Sequence, residues 1–232
     1  MKVGITLPTF EPGAARALAA AREAEEAGID GVFAFDHLWP GDDKSRPALS
    51  MYPLLAAAAA ATARVRIGSL VARLGLLPDA VVVESLVSLG ELAGRRLVAA
   101  VGIGDSKSRT ENEAFGIPFP SLEARRASLA ATLDELAGAG IETWVGASSP
   151  ATLEIARAAG ATVNLWGADL DRLRAEVVLG PTTWAGPLPT SARAAAGRLA
   201  DLRETGVTWA IWGWPRSIAL VREALDMAGT RP

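Results

Sequence analysis

Gly31-Val-Phe-Ala-Phe-Asp-His37 is an apolar run that ends in two polar residues. A continuous apolar run is typical of a parallel strand that is buried on both faces. Polar side chains directly after such a strand lie at the open carboxyl end of a barrel, where active sites are built. His37 is the only histidine of the chain. An imidazole is the side chain whose unperturbed pKa lies near neutrality, so His37 is a candidate for proton transfer; the alternative is a capping or core histidine.

The same strand-then-helix unit recurs along the chain. Short β-branched or aromatic runs predict strands at residues 2–7, 31–35, 65–71, 97–101, 141–145, 162–166, 177–182 and 207–212. Alanine-rich patterns between them predict helices at residues 13–27, 53–63, 80–93, 122–139, 150–159, 170–175, 191–205 and 217–227. This alternation predicts a closed (β/α)8 TIM barrel in one compact domain, residues 1–232. A doubly wound open α/β sheet is the alternative.

The composition argues against several kinds of function. A net charge of -3 gives no reason to expect a nucleic acid partner. The absence of cysteine removes disulfides, thiolate metal sites and a cysteine nucleophile, and one histidine does not make a conventional zinc site. The longest apolar stretch, residues 54–61, is too short to span a bilayer. With no signal-peptide pattern at the N-terminus, we expect a cytoplasmic protein.

Further polar residues fall at the predicted carboxyl ends of strands. Asp105 follows Val101-Gly-Ile-Gly104, whose glycines let a ligand approach the backbone. Lys107 stands where a dinucleotide fingerprint needs its third glycine, so the segment is not such a fingerprint. We predict that Asp105 faces the same cavity as His37; the alternative is a helix N-cap. The other candidates of this kind are Thr9, Asp36, Ser69, Ser148 and Asn164.

Two stretches carry no clear helix or strand pattern, residues 39–51 and 105–121. Both follow predicted strand ends, so we expect them as loops over the barrel mouth. The second contains Glu111 in a polar setting, which indicates either a lid or a solvated loop. Basic residues in or near these stretches are candidates for attracting an acidic cofactor tail or an anionic substrate: Lys44, Arg46, Arg73, Lys107 and Arg109.

Val145-Gly-Ala-Ser-Ser-Pro150 is a turn of small residues that leads into a predicted helix. The free N–H groups at such a position bind phosphate and other anions. We therefore consider Gly146, Ala147 and Ser148 as anion ligands. The alternative is an ordinary N-cap, with Ser148 or Ser149 preceding a proline in the first turn.

Tryptophan is concentrated near the predicted strand ends, at Trp39, Trp166, Trp184, Trp212 and Trp214. Aromatic side chains around a barrel mouth form a flat, apolar pocket that suits a planar ring system. The alternative is that these rings only plug the top of a narrow barrel.

The order and spacing of several segments resemble the bacterial luciferase-like flavin and deazaflavin oxidoreductases. The segments are residues 21–33 leading to Asp36-His37, 62–68, 89–96, 101–105, 113–118 and 146–150. The resemblance implies a (β/α)8 barrel that holds a cofactor ring at its carboxyl mouth. His37 would then act as acid, base or hydrogen-bond donor, and Asp105 takes the place of an acidic residue in the deazaflavin branch. A non-proline cis peptide is implied near Leu70-Val71, and cofactor phosphate at residues 146–148.

The expected site follows from these patterns together. His37 and Asp105 are the expected catalytic residues, and no metal site is expected. The expected cofactor ligands are Asp36, Trp39, Ser69, Leu70, Val71, Gly102, Gly104, Gly146, Ala147, Ser148 and Trp166.

The predicted function is hydride transfer between coenzyme F420, a 5-deazaflavin, and a small organic substrate. The acidic residue at position 105 favours F420 over FMN, and the resemblance suggests a homodimer with no nucleic acid or membrane partner. An FMN-dependent monooxygenase is the first alternative. A non-catalytic flavin-binding barrel is the second, because Gly160-Ala-Thr162 stands where the family commonly has Ala-Asp-Gly.

Overall fold

A computed structural model describes residues 1–40, 43–215 and 217–229. Gly41 and Asp42, within the predicted irregular stretch 39–51, lie outside the described residues. The strands are β1 (Lys2–Thr6), β2 (Gly31–Ala34), β3 (Arg66–Ser69), β4 (Ala72–Arg73), β5 (Leu97–Gly102), β6 (Thr143–Gly146), β7 (Thr162–Trp166), β8 (Thr182–Gly186) and β9 (Trp209–Trp212). The α-helices are α1 (Ala15–Glu26), α2 (Met51–Ala61), α3 (Asp79–Ala93), α4 (Ser106–Ala114), α5 (Leu122–Gly138), α6 (Pro150–Ala158), α7 (Leu170–Val177), α8 (Ala192–Thr205) and α9 (Ile218–Met227).

The strands pair in parallel and the sheet closes on itself. Their order is β3-β2-β1-β9-β8-β7-β6-β5-β4, and a pairing of β3 with β5 joins the two ends. β3 and β4 form one barrel position, and the cis peptide bond Leu70-Val71 lies between them, where the resemblance implied it. Across the described residues this is an eight-stranded parallel barrel with surrounding helices. The barrel prediction is confirmed, and the open-sheet alternative is wrong.

Aromatic rings fill the barrel interior. Phe33 lies 5.6 Å from Trp144 and 5.7 Å from Trp209 between ring centroids. A Cβ atom at Gly68 would come within 2.6 Å of the Phe33 ring, so this glycine leaves the space that the ring occupies. The middle of the barrel is therefore a packed core rather than a channel, and a ligand site belongs at an end of the barrel.

Small residues bring the outer helices close to the barrel. On α1 the buried positions are all alanines, Ala17, Ala20, Ala21 and Ala24, with the three- and four-residue spacing of one helix face.

Among the described residues, no helix is long and apolar enough to cross a membrane.

The predicted strand at residues 177–182 is wrong. α7 continues to Val177, and the next two residues are an exposed turn, with Val178 84% and Leu179 61% exposed. The strand at this position is β8, Thr182-Thr-Trp-Ala-Gly186. The aliphatic run Val177-Val-Leu179 resembles a strand but ends the helix. The strand that follows contains only one residue with a large apolar side chain, Trp184.

The predicted irregular stretch 105–121 contains a helix, α4. Its sequence is strongly polar, so it shows no wide apolar face. Its buried positions are nevertheless Ser108, Glu111 and Asn112, which share one face at helical spacing. This helix brings a charged residue to the barrel mouth that a loop would have left in solvent.

Candidate active site

The carboxyl end of β2 delivers His37 to the barrel mouth beside two stacked rings. Phe10 and Phe35 lie parallel, with centroids 5.7 Å apart. The His37 ring centroid lies 6.2 Å from that of Phe10 and 6.4 Å from that of Phe35. The His37 side chain is still 42% exposed. The imidazole is therefore supported by aromatic contacts and remains accessible to a ligand.

A buried carboxylate contacts the inner nitrogen of His37. Glu111 lies on α4 and is 3% exposed. Its Oε2 is 3.1 Å from Nδ1 of His37, and its Oε1 accepts the backbone N–H of Leu38. Glu111 thus fixes both the imidazole and the chain that follows it.

Arg73 on β4 joins the two carboxylates at the mouth. It is 4% exposed, and its Nη1 donates to Oε2 of Glu111. Its backbone N–H donates to Oδ2 of Asp36 at 2.9 Å. The Nε and Nη2 groups have no hydrogen-bond partner in the part of the chain that the structure describes. Arg73 is therefore a buried, paired cation, which corrects the expectation of a cation free to attract an acidic tail.

We call Asp36, His37, Arg73 and Glu111 the mouth cluster. Burial raises the pKa of Asp36 above its ordinary value, and the bond and charge of Arg73 offset this only in part. For Glu111, burial also acts to raise the pKa, but hydrogen bonds from His37 and Leu38 and the charge of Arg73 outweigh it. The pKa of Glu111 is therefore lowered, and at neutral pH this side chain carries the negative charge beside His37.

Val71 packs against two glycines at the top of neighbouring strands. A Cβ atom at Gly102 would lie 2.5 Å from a Val71 methyl carbon, and one at Gly146 would lie 2.8 Å from the other. A larger residue at either position would displace Val71. Next to it, Leu70 is buried in the barrel core, and the Ser69 hydroxyl donates to a β5 carbonyl at 2.6 Å.

The turn between β6 and α6 combines a helix start with a cation. Ser149, not Ser148, is the N-cap of α6, while Ser148 is exposed. The N–H of Ala147 donates to the carbonyl of Asn164 at 3.2 Å. Arg126 on α5 reaches Oγ of Ser149 at 3.5 Å, and its buried Nε has no partner among the described residues. A helix N-terminus beside a guanidinium is a favourable environment for an anion.

The luciferase-like monooxygenase family matches residues 1–139 of this chain. The chain belongs to this family.

Curated relatives of this luciferase-like chain match part of their own length. An F420-dependent glucose-6-phosphate dehydrogenase of Beutenbergia cavernae is 41% identical over 106 residues, which is 45% of this chain and 30% of the relative. A protein of the same name from Kineococcus radiotolerans is 34% identical over 108 residues, 46% of this chain and 31% of the relative. The matches therefore span less than a third of the length of either relative.

Solved structures similar to this luciferase-like barrel cover nearly the whole chain. An F420-dependent secondary alcohol dehydrogenase in complex with an F420-acetone adduct superposes with a TM-score of 0.80 at 13% identity, covering 100% of this chain and 99% of that one. A coenzyme F420-dependent tetrahydromethanopterin reductase from Methanopyrus kandleri gives 0.74 at 13% identity, covering 97% of each. At this identity the likeness shows the fold alone.

In this luciferase-like barrel Asp105 is the N-cap of α4. Its Oδ1 accepts the N–H of Lys107 at 2.9 Å and that of Ser108 at 3.1 Å, and the Ser108 hydroxyl accepts the N–H of Asp105. Asp105 is exposed, and it is Glu111 that contacts His37. The N-cap alternative describes what the side chain does here, and a role of Asp105 in proton transfer stays a prediction.

Asp105→Ala is expected to lower the free energy of unfolding by about 1 kcal/mol, because alanine cannot cap α4. Asp105→Asn is expected to keep wild-type stability, because asparagine is an equally good N-cap. Urea unfolding measures both. A stable Asp105→Asn protein that differs from the wild type in ligand binding or turnover would show that the carboxylate has a role beyond the cap.

The tryptophans divide between the mouth and the core. Trp166 is 53% exposed, with its ring 5.8 Å from that of Phe35. Trp184 and Trp212 are buried against each other at 5.1 Å on the helix side of the strands, so the expectation that they line a mouth pocket is wrong. Trp39 stacks on Phe115, the residue that follows α4, and is only 6% exposed. This leaves little of the Trp39 ring for a cofactor.

Sequence reasoning missed the partner of His37. The Asp105-x-x-Ser108 spacing of a capping box was the available signal for a helix at this position. That helix would have placed Glu111 one turn after Ser108 on the same face. Phe10 and Phe35 also lie at the mouth, and the concentration of tryptophan near the strand ends gave no signal for them.

Proposed function

We propose that this chain is an oxidoreductase that uses coenzyme F420 to exchange hydride with a small organic substrate. Membership of the luciferase-like family supports oxidoreductase chemistry. The curated relatives are named F420-dependent glucose-6-phosphate dehydrogenases, which favours F420 and an alcohol or sugar substrate. The observation that carries the proposal is the mouth cluster, which holds one accessible imidazole next to an ionised carboxylate.

The residues present fit a ligand with a planar ring and a phosphate. Val71 and the exposed face of Trp166 would hold the ring, with Gly102 and Gly146 leaving the space that Val71 needs. Ser148 and Arg126 would hold the phosphate at the start of α6. FMN shares both features, so the ring and phosphate contacts favour a flavin-type cofactor, and the relatives favour F420 within that class.

A bound 5-deazaflavin supplies a centre that accepts or donates hydride. The protein must then move one proton and keep the site ordered. His37 is the accessible titratable group, and its Nε2 would take the proton from a substrate hydroxyl or return it to a carbonyl. Arg73 and Glu111 would hold the imidazole in place through that exchange.

Tryptophan fluorescence tests the cofactor directly. Titration with F420 is expected to quench emission, and Trp166→Phe is expected to reduce that quenching because Trp166 is the ring exposed at the mouth. FMN is titrated in parallel. Tighter binding of FMN would favour the monooxygenase alternative, and binding of neither would favour the non-catalytic barrel. Turnover is then assayed with glucose 6-phosphate, after the names of the curated relatives, and with 2-propanol as a simple secondary alcohol.

Arg126→Gln is expected to weaken F420 binding roughly 10–100-fold, since a hydrogen bond to a charged group is worth about 1.5–3 kcal/mol. The difference between wild type and variant is expected to shrink at high salt, because salt screens the attraction between Arg126 and a phosphate in the wild type. Arg22→Gln, an exposed change on α1, is the matched control and should leave affinity unchanged. Equal affinities for the two variants would contradict the phosphate assignment.

A further inference from the structure

Glu111 is charged, almost fully buried and in contact with the one imidazole of the chain, and neither the family match nor the relatives assign it a role. Its carboxylate receives two fixed donors, Leu38 N–H on Oε1 and Arg73 on Oε2, and Oε2 also lies 3.1 Å from Nδ1 of His37. The Leu38 and Arg73 groups can only donate. Each oxygen therefore already accepts one hydrogen bond, which favours the ionised carboxylate over the protonated acid.

We propose that Glu111 is a positioning residue that keeps the proton of neutral His37 on Nδ1 and leaves Nε2 as the basic nitrogen toward the substrate. The link to turnover rests on the proposed function, whereas the position of the proton does not.

The geometry discriminates between the two neutral forms of His37. With the proton on Nδ1, the 3.1 Å contact is an N–H donating to a carboxylate. With the proton on Nε2, the Nδ1 lone pair would face the oxygen of an ionised Glu111 at the same distance. That second arrangement is repulsive and loses a charge-assisted hydrogen bond. The lowered pKa of Glu111 agrees with the first arrangement.

The remaining charged and titratable groups around the imidazole do not compete for Nδ1. The Asp36 carboxylate is bound to the backbone N–H of Arg73, and the Arg73 side chain is bound to Glu111. Tyr52, on α2, lies near Asp36; burial and that carboxylate raise its pKa, so it stays a neutral phenol. Among the described residues Glu111 is therefore the side chain that contacts Nδ1 and sets the tautomer.

For an alcohol substrate, this tautomer places a proton acceptor, Nε2, toward the hydroxyl group. The O–H bond breaks and its proton binds Nε2, which gives an imidazolium with protons on both nitrogens. The O–H electron pair would form the C=O bond, while the carbinol C–H pair would leave as the hydride that a bound deazaflavin would accept. The ionised Glu111 stabilises the imidazolium through Nδ1–H, which is the role of the carboxylate in a histidine dyad.

The single histidine makes the test direct. Long-range ¹H–¹⁵N NMR of cofactor-free protein labelled at histidine shows one imidazole, with no assignment needed. Under conditions where the imidazole is neutral, we expect a pyrrole-type Nδ1 and a pyridine-type Nε2. The reverse pattern in the wild type overturns the proposal, whether or not any variant folds.

Glu111→Gln tests whether Glu111 sets the tautomer of His37. In either orientation the glutamine NH₂ faces a donor, Leu38 N–H or Arg73, so the acceptor pattern is broken. We expect the neutral imidazole signals to move toward the Nε2–H form. Glu113→Gln, an exposed change on the same helix, is the control and should leave the wild-type pattern. An unchanged pattern in Glu111→Gln also overturns the proposal.

F420-loaded protein gives a separate readout. The pH profile of kcat/KM is expected to shift in Glu111→Gln and not in Glu113→Gln, since only the first changes the base. A folded Glu111→Gln protein with the wild-type profile would overturn the positioning role in turnover. If the wild type does not bind F420, the proposed function fails, while the NMR result still decides the tautomer.

Discussion

His37→Ala is expected to slow turnover by about 10²–10⁴-fold while leaving cofactor affinity nearly intact, because general acid–base catalysis contributes that much. The side chain is 42% exposed, so its removal opens no large cavity. The hydrogen bond that His37 makes to Glu111 is lost, but Glu111 keeps its bonds to Leu38 and Arg73. Stopped-flow measurement of F420 reduction with the active substrate separates the chemical step from binding.

His37→Gln separates proton transfer from hydrogen bonding. Glutamine can donate to Glu111 and stay polar at the mouth, but it cannot take a proton at neutral pH. We expect it to be nearly as slow as His37→Ala, and we expect added imidazole to restore part of the rate in His37→Ala only. Loss of F420 affinity with unchanged turnover would make His37 a binding residue instead.

The fold could be predicted because its signals are local and repeated. The run ending at Asp36-His37 and the glycines after the helices mark βα units directly. The errors came where local and tertiary signals differ. Val177 belongs to the end of α7, and β8 is held by pairing with β7 and β9 rather than by aliphatic residues of its own. Strand pairing overrides weak propensity at such a position.

The location of the candidate site could be predicted from the sequence, but the hydrogen bonds between its residues could not. His37 and Asp36 follow from the strand end alone. The bond between His37 and Glu111 joins residues 74 apart in sequence, and it depends on α4 folding back over the mouth. No periodicity in a single chain reports such a contact. Asp105 was the acidic residue expected beside His37, because it follows the glycines at the end of a strand. In the structure its carboxylate instead accepts two backbone N–H groups in the first turn of α4.

Arg73→Met is expected to lower the free energy of unfolding by about 3–5 kcal/mol, because it leaves the buried Glu111 carboxylate without its cation. Glu111→Leu is expected to cost a similar amount by leaving Arg73 unpaired. The double variant should cost clearly less than the sum, since neither charge is then left alone. Urea unfolding of the four proteins gives the coupling energy.

The pH dependence separates this ion pair from simple packing. The pKa of Glu111 is lowered in the folded protein, so its stabilising contribution is complete above the unfolded pKa and is lost as pH falls through the folded one. The stability difference between wild type and Arg73→Met should therefore narrow in acid. Arg109→Met, in a pair whose side chains are 56% and 63% exposed, should cost almost nothing at either pH. If Arg73→Met were as stable as that control, the mouth cluster would not depend on its cation, and Glu111 would need another reason to stay ionised beside His37.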